Sequence, residues 1–287
     1  MRLALVGAGR LAAHLGLALQ ALGQAPVALG ARNRQAAAPL AQALGLCVCT
    51  PEEAQLGADV VMLAVRDEAI APLAAALPWR AGQLAVHASG ATELEALAPA
   101  ERRAGFHPLQ LFADPLPRPE AALAAFAGVR IGIEGDANAT LALSSLATRL
   151  GAIPLLLVGG QRARYHAAAN LAASGLFAPL QAAVTLWREA LGLDEAQAWA
   201  ALQPLAKGAL AAASERGLAG ALSGPLARGD TAVLARHLEA LKDRPVAPLY
   251  LEAMRTLLPL ARESGRLDAE QWESLFQLLS SQPAKDV

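Results

Sequence analysis

The sequence predicts a two-part chain: an α/β domain built on a doubly wound, mostly parallel sheet, followed by an all-α domain. Three observations carry this. Short, nearly unbroken apolar runs alternate with alanine- and leucine-rich helical segments over the first half, the pattern of parallel strands buried on both faces. After about Val158 strand signals stop and helical patterns follow one another. A glycine loop, GAGRLA at 7–12, joins the first apolar run to the first helical segment.

The apolar runs at 3–7, 27–30, 60–65, 84–89, 104–109, 129–133 and 153–158 read as strands. Helical patterns between them fall at 10–23, 34–44, 67–77 and 137–150. Asp67 reads as the cap of the third of these. In the second half, helices are expected near 160–190, 194–216, 230–242, 246–264 and 268–281, with Asp194, Asp230 and Asp268 standing where N-caps are wanted. Pro179 lies inside the first of them and is expected to kink it by removing its bond to the Gly175 carbonyl. The composition change at Gly159-Gly160 puts the domains at 1–158 and 159–287.

Of 287 residues, 55% are hydrophobic and 17% charged, with a formal net charge of -1. No basic block or aromatic platform points to a nucleic-acid partner. The apolar start, Leu3 to Val6, is too short for a signal peptide and breaks into glycines. The uncharged stretch Tyr165–Trp187 has the length of a bilayer span but carries His166, Asn170, Ser174, Pro179, Gln181 and Thr185. A buried central helix in a chain without a membrane partner is expected there. Cys47 and Cys49 form a lone C-x-C without a second ligand cluster, which reads as a reduced pair in a cytoplasmic protein with no metal.

In the glycine loop, Gly7 permits the tight turn and Gly9 lets backbone approach a pyrophosphate. The helix N-terminus at Arg10 and Leu11 faces the phosphates, and Ala12 is small enough to pack on the sheet. A site selective for NAD places a carboxylate roughly 20 residues on. Here that stretch is Gly30-Ala31-Arg32-Asn33-Arg34, and no Asp or Glu precedes Glu52. Two guanidinium groups stand where the acid would be, and their forked donors suit the 2′-phosphate of NADP. As mere solvated charges they would be poorly placed, because positive charge is unfavourable at a helix N-terminus. The segment VVMLAVRDEAI fits the next strand and its loop, with Ala64, Val65 and Arg66 offering backbone to the nicotinamide side.

Three polar clusters fall at strand ends or near the domain junction: His87-Ala88-Ser89-Gly90, Phe106-His107-Pro108-Leu109-Gln110, and Arg164-Tyr165-His166 with Asn170. Ligands of open α/β sheets sit beyond the carboxyl ends of the strands. His166 and Asn170, four apart on one helix face, match the need for a proton donor and a carbonyl-orienting donor in a hydride transfer. Ser89, His107, Tyr165 and Gln110 complete the candidate set. His87 reads equally as a strand residue facing away from the cleft. In GPLARGD, Asp230 caps a helix, and Arg228 reads either as a structural fork or as the holder of a substrate carboxylate.

The order GAGRLA, VVMLAVRDEAI, VHASGA, FHPLQLF, YHAAA and GPLARGD resembles a bacterial family of oxidoreductases. That family joins an NADP-type Rossmann domain to a helical C-terminal domain of unassigned function. It is similar in build to the 6-phosphogluconate, β-hydroxyacid and prephenate dehydrogenases and to ketopantoate and pyrroline-5-carboxylate reductases. The resemblance implies a helical domain of the 6-phosphogluconate dehydrogenase type and a homodimer made through the C-terminal helices. It also implies hydride exchange between NADP and a small oxo or hydroxy acid, with ketopantoate first. The β-hydroxyacid group uses a lysine four before its asparagine, where this chain has His166. Prephenate dehydrogenases use a serine and a histidine before proline, which Ser89 and His107-Pro108 resemble. The family pattern tends to read Ser-Asn where this chain has Ser174-Gly175. The alternatives are a prephenate-type dehydrogenase, a deazaflavin-linked NADP reductase, and an NADP(H)-binding sensor or scaffold without turnover.

Overall fold

The structure, a computed structural model, describes residues 1–282. Eight strands form one sheet: β1 (Leu3–Val6), β2 (Ala28–Gly30), β3 (Val48–Cys49), β4 (Val60–Leu63), β5 (Leu84–His87), β6 (Arg102–Pro108), β7 (Arg130–Gly135) and β8 (Ile153–Leu156). Their spatial order is β3-β2-β1-β4-β5-β6-β7-β8. Every neighbouring pair is parallel except β6 and β7, which run antiparallel. This is the doubly wound, mostly parallel arrangement expected. The two-residue β3 carries too little pattern to be read from sequence.

Alternate residues of each strand feed two apolar layers. Leu3, Leu5, Met62, Val86, Phe106, Ile131 and Ile133 face α1 (Arg10–Ala21), α2 (Arg34–Leu44) and α6 (Ala137–Arg149). Ala4, Val6, Val61, Leu63 and Ala85 face α3 (Pro51–Gln55) and α4 (Asp67–Ala76). The short α3 and α5 (Pro119–Ala124) lie below the length at which periodicity is legible. A Thr50–Glu53 capping box starts α3. Arg66, rather than Asp67, occupies the N-cap of α4, and Asp67 is its first residue, where its charge favours the helix dipole.

A compact first unit runs from Met1 to Leu171, and a second begins at Ala172. The first includes most of α7 (Arg162–Ala172), so the division by contacts falls past the composition change at 159. The second is helical: α8 (Phe177–Leu191), α9 (Glu195–Ala221), α10 (Thr231–Leu241), α11 (Ala247–Glu263) and α12 (Ala269–Ser280). Asp194, Asp230 and Asp268 each accept a backbone N–H three residues on, as their spacing predicts. Leu234, Leu251, Leu258, Leu275 and Leu279 form its core.

The stretch 160–190 is not one buried helix. It breaks at Ala173 (φ -113°, ψ -99°), followed by a 3-10 turn at Ser174–Leu176. Pro179 therefore sits in the first turn of α8, where its missing N–H removes no helical bond, and produces no kink of its own. Val184 is the buried residue of α8, while Phe177 is 63% exposed and Leu191 59%. No single described helix is long and apolar enough to cross a membrane. The bent pair Arg162–Ala172 and Ser174–Leu191 meets that test only by length and composition taken together.

Phe126 is fully buried in the layer under α1, whereas Phe276 on α12 is 45% exposed. Phe126→Ala is expected to cost about 3–5 kcal/mol in denaturant unfolding. Phe276→Ala is expected to cost about 1 kcal/mol or less.

Candidate functional site

The strand order reverses between β1 and β4, and a crevice opens at their carboxyl ends. Gly7 has φ +114°, and a Cβ there would stand 2.3 Å from the Ala64 carbonyl oxygen, so only glycine lets the β1 end pass the β4 loop. Its N–H donates to the Gly30 carbonyl at 2.9 Å, tying the ends of β1 and β2 together. Gly9 is the N-cap of α1 and brings no capping side chain. Nothing lies within 4 Å of the Cβ it lacks. The first-turn amides at Arg10 and Leu11 thus have no capping side chain, as an anion site at a helix N-terminus requires.

A cleft of about 430 Å³ runs from this loop, lined by Gly7, Ala8, Arg32, Asn33, Val65 and Pro51 among others. Of the two arginines expected to meet a phosphate, Arg32 lines it. Arg34 does not; it lies 4.0 Å from Glu53 in an exposed pair. The Asn33 side chain also caps α2, accepting the Ala36 N–H at 3.0 Å. Arg66 pairs with Glu68 at 3.1 Å in solvent. Glu52 lines the cleft as well, and sequence reasoning missed it, because β3 returns 50–53 to the β2 edge through the Ala31–Cys49 bond. The glycines, the open helix end and Arg32 fit a dinucleotide phosphate.

A second group forms farther along the same rim. Register aligns Val6, Leu63, His87, Gly105 and Glu134 in one row across β1, β4, β5, β6 and β7. His107 and Gly132 stand opposite each other in the next row on that face. Helix α7 crosses here because two of these positions lack side chains. A Cβ on Gly105 would lie 1.8 Å from Arg162 Nη2, and one on Gly132 would lie 2.5 Å from the Tyr165 hydroxyl oxygen. Gly90 fits between two imidazoles: its Cβ would stand 2.5 Å from His166 Nδ1 and 2.6 Å from His107 Cε1.

His107 Nδ1 and the Tyr165 hydroxyl are 2.9 Å apart and hydrogen-bonded. The His107 and His166 rings sit edge to face at 5.8 Å. Burial, then the neighbouring His166 and Arg162, pushes the His107 pKa down to about 4, against the pull of Asp67. His107 is therefore a neutral imidazole at pH 7. Burial pushes the Tyr165 phenol up to about 12, so it keeps its proton. His166 is half-buried, and its Nδ1 has no hydrogen-bond partner. His87, in the same row as Gly105 and near Arg162 and His107, is fully buried, with neither ring nitrogen making a hydrogen bond of normal geometry. Its pKa is also lowered to about 4, by burial and then by Arg162 and His107.

Other expected site residues also make structural contacts. The Ser89 hydroxyl oxygen accepts the Ala91 and Thr92 N–H groups at 3.2 and 3.0 Å, which folds the β5 loop around Gly90. The Gln110 amide holds its own loop, donating to the Ala125 carbonyl and accepting the Leu111 N–H. Asn170 is exposed one turn beyond His166. Arg228 ends a 3-10 turn in the helical unit, where its carbonyl accepts from Gln271 at 3.3 Å. Sequence reasoning missed Arg162 and Glu134. Arg162 is fully buried, with Nε donating to Glu134 Oε2 at 2.6 Å and Nη1 to the Ser89 carbonyl at 2.9 Å. The glycines at 105 and 132, alternating with bulky strand residues, were the available signal. Among the described residues, no group of three His, Cys, Asp or Glu side chains could hold a metal.

The neutral imidazoles set an acid sensitivity. Between the ordinary histidine value of 6.5 and about 4, the unfolded chain takes up protons that the folded chain refuses, so stability falls as pH falls. His87 alone accounts for about 3 kcal/mol over that window. Urea unfolding at pH 7, 5.5 and 4.5 should show the decline. His87→Leu, which removes two unpartnered nitrogens, should make it shallower, leaving the His107 part, without loss of stability at pH 7.

Residues 2–89 match the family described as NADP oxidoreductase, coenzyme F420-dependent, and residues 129–257 match the domain of unknown function DUF2520. No protein with a curated function matches. The crystal structure of TM1727 from Thermotoga maritima is similar over 92% of this chain and 100% of its own, at 25% identity and TM-score 0.75. BF3122 from Bacteroides fragilis, provisionally named an NADP oxidoreductase, is similar over 93% and 98%, at 23% identity and TM-score 0.66. A pyrroline-5-carboxylate reductase from Coxiella burnetii is similar over 97% and 96%, at 17% identity and TM-score 0.54. The last two likenesses show the fold. The chain is thus similar to the F420-dependent NADP oxidoreductase family over its first strands and helices and to DUF2520 over a later, separate stretch, each match covering less than half of its length.

Proposed function

We propose that the protein is an NADP-dependent oxidoreductase acting on a small oxo or hydroxy acid, with its proton chemistry at His107, Tyr165 and His166. The observation that carries this reading is the crevice itself: glycines at 7 and 9, an open helix end, and Arg32 in its lining where an NAD site wants a carboxylate. Arg32 would hold the 2′-phosphate, with Arg34 adding charge nearby. Gly7, Gly9 and the amides at Arg10 and Leu11 would hold the pyrophosphate, and Ala64–Arg66 the nicotinamide side. A nicotinamide bound there supplies or takes up hydride.

The chain's own residues would then manage the proton. Tyr165 retains its hydrogen at neutral pH and shares it with the neutral His107, so the pair can give a proton to a forming alkoxide or take one from a hydroxyl. His166, with an unpartnered Nδ1 beside Gly90, is a second donor. Asn170, Ser89 and Gln110 would support the substrate. Ketopantoate is the first substrate to test. A prephenate-type dehydrogenation is the second reading, favoured by the pairing of His107 rather than His166 with a phenol. The two separate by variants: His107→Ala abolishes turnover under the second, while His166→Ala leaves most of it. An NADP(H)-binding scaffold would bind the nucleotide and turn over no oxo acid or deazaflavin.

Titration with NADPH and NADH, followed by tryptophan fluorescence, tests the cofactor reading. NADPH should bind at least tenfold more tightly, and Arg32→Ala/Arg34→Ala should erase the preference, as expected for a lost charge-assisted phosphate contact. Equal affinities would sink the phosphate assignment, and no binding of either would sink the dehydrogenase reading.

We also propose a homodimer through the helical unit, where Phe177, Leu205, Leu210 and Leu218 are more than half exposed. Sedimentation of the full chain should give twice the 29.5 kDa monomer mass. Leu205→Glu/Leu210→Glu should return it to the monomer.

A further inference from the structure

Arg162 heads the largest fully buried side chains, yet the function proposed above gives it no task. Its three nitrogens reach three different strands. Nε holds Glu134 on β7, Nη1 holds the Ser89 carbonyl just past β5, and Nη2 lies over Gly105 on β6 without a hydrogen bond. Tyr165 and His166 stand three and four residues on, hence on the same face of α7. Ser89 precedes Gly90, the spacer between the two imidazoles. One guanidinium therefore fixes both the helix that carries Tyr165 and His166 and the loop against which they pack.

We propose that Arg162 is a positioning residue for the His107–Tyr165–His166 group. Clamped by Glu134, it sets where the phenol and imidazoles stand and keeps a permanent positive charge behind them. A site that must hand over a proton needs His107 as an uncharged partner of Tyr165, and a buried cation beside it disfavours a second charge. The groups facing His107 are Tyr165, His166, Arg162 and, opposing, Asp67; those facing His87 are Arg162 and His107. Glu134, on β7, is the carboxylate paired with Arg162. The purpose assigned here rests on the proposed function, but the arrangement can be read without turnover.

Imidazole NMR titrations of the full chain, with His87→Leu and His107→Ala used for assignment, provide the test. They compare wild type, Arg162→Lys, and Arg162→Met/Glu134→Gln, which removes both charges together. In the double variant the His87 and His107 midpoints should rise by roughly half a pH unit or more. In Arg162→Lys they should stay low. There the amides of Tyr165 and His166 should exchange roughly tenfold faster, since one ammonium cannot hold a carboxylate and a carbonyl in a fork's geometry. An unmoved His107 midpoint in a folded double variant overturns the proposal. So does unchanged exchange in Arg162→Lys, which decides alone if the double variant fails to fold. NADPH affinity, measured alongside, should be equal in all three, because Arg162 does not line the crevice. Wild type that binds no NADPH would refute the proposed function while leaving the imidazole result intact.

Discussion

The close approach of α7 to the sheet is the constraint on which the candidate site depends. A helix rides over a sheet at the usual separation unless the strands beneath it give up side chains. Here Gly105 and Gly132 do so, on adjacent strands of one face. Arg162 and Tyr165 fill the space released. The hydrophobic layer of Leu63 and Ala85 gives way at the carboxyl end to a polar row of His87, Gly105 and Glu134. Leu63 and the row share a face, so the change from greasy to polar happens within one strand spacing.

Such a row is costly to bury. An ion pair with one partner fully enclosed recovers its desolvation only through good geometry, and replacing both partners with apolar residues is often neutral. The Arg162–Glu134 pair at 2.6 Å is therefore weak evidence of a stability role. Its neighbours make the same point. His87 is enclosed with two unpartnered nitrogens, and His166 keeps an unpartnered Nδ1. A core selected for stability alone would hold leucine at 87, beside Ala85 and Leu63. Unsatisfied polar groups gathered at one end of a sheet, with depressed imidazole pKa values, mark a candidate chemical site.

The sequence made the frame legible because the frame obeys periodic rules. Seven of the strands announced themselves as apolar runs, and Asp194, Asp230 and Asp268 announced their helices through local capping chemistry. The glycine loop was legible for the same reason, since φ +114° at Gly7 leaves no other residue. What escaped notice was non-local. Nothing in the neighbourhood of Arg162 says that it will meet Glu134, 28 residues earlier, or the Ser89 carbonyl, 73 residues earlier. Arg32 and Arg34 looked equivalent in sequence, and only the return of α3 to the β2 edge separates them, by offering Glu53 to one and leaving the other in the cleft. Helix 160–190 failed for a different reason. Its alanine-rich composition permits a helix throughout, and the break at Ala173 has no glycine or proline at that position to mark it.

The two halves of the candidate site meet through register. Val6 lines the crevice, and His87 lies two strands away in the same row, about 10 Å at the spacing of parallel strands. His107, two residues beyond Gly105 on β6, stands above that row at the rim. The crevice and the imidazoles are thus not independent features that happen to share a domain. Both are placed by the carboxyl ends of β1, β4, β5 and β6, and a one-residue slip of β5 or β6 would turn His87 or His107 to the opposite face. The glycines of β6 and β7 protect that alignment from the other side, since α7 can seat Arg162 and Tyr165 only where both are present. A nucleotide loop alone is compatible with many proteins. Here register joins it, on one sheet edge, to a neutral histidine, a protonated tyrosine and a buried guanidinium.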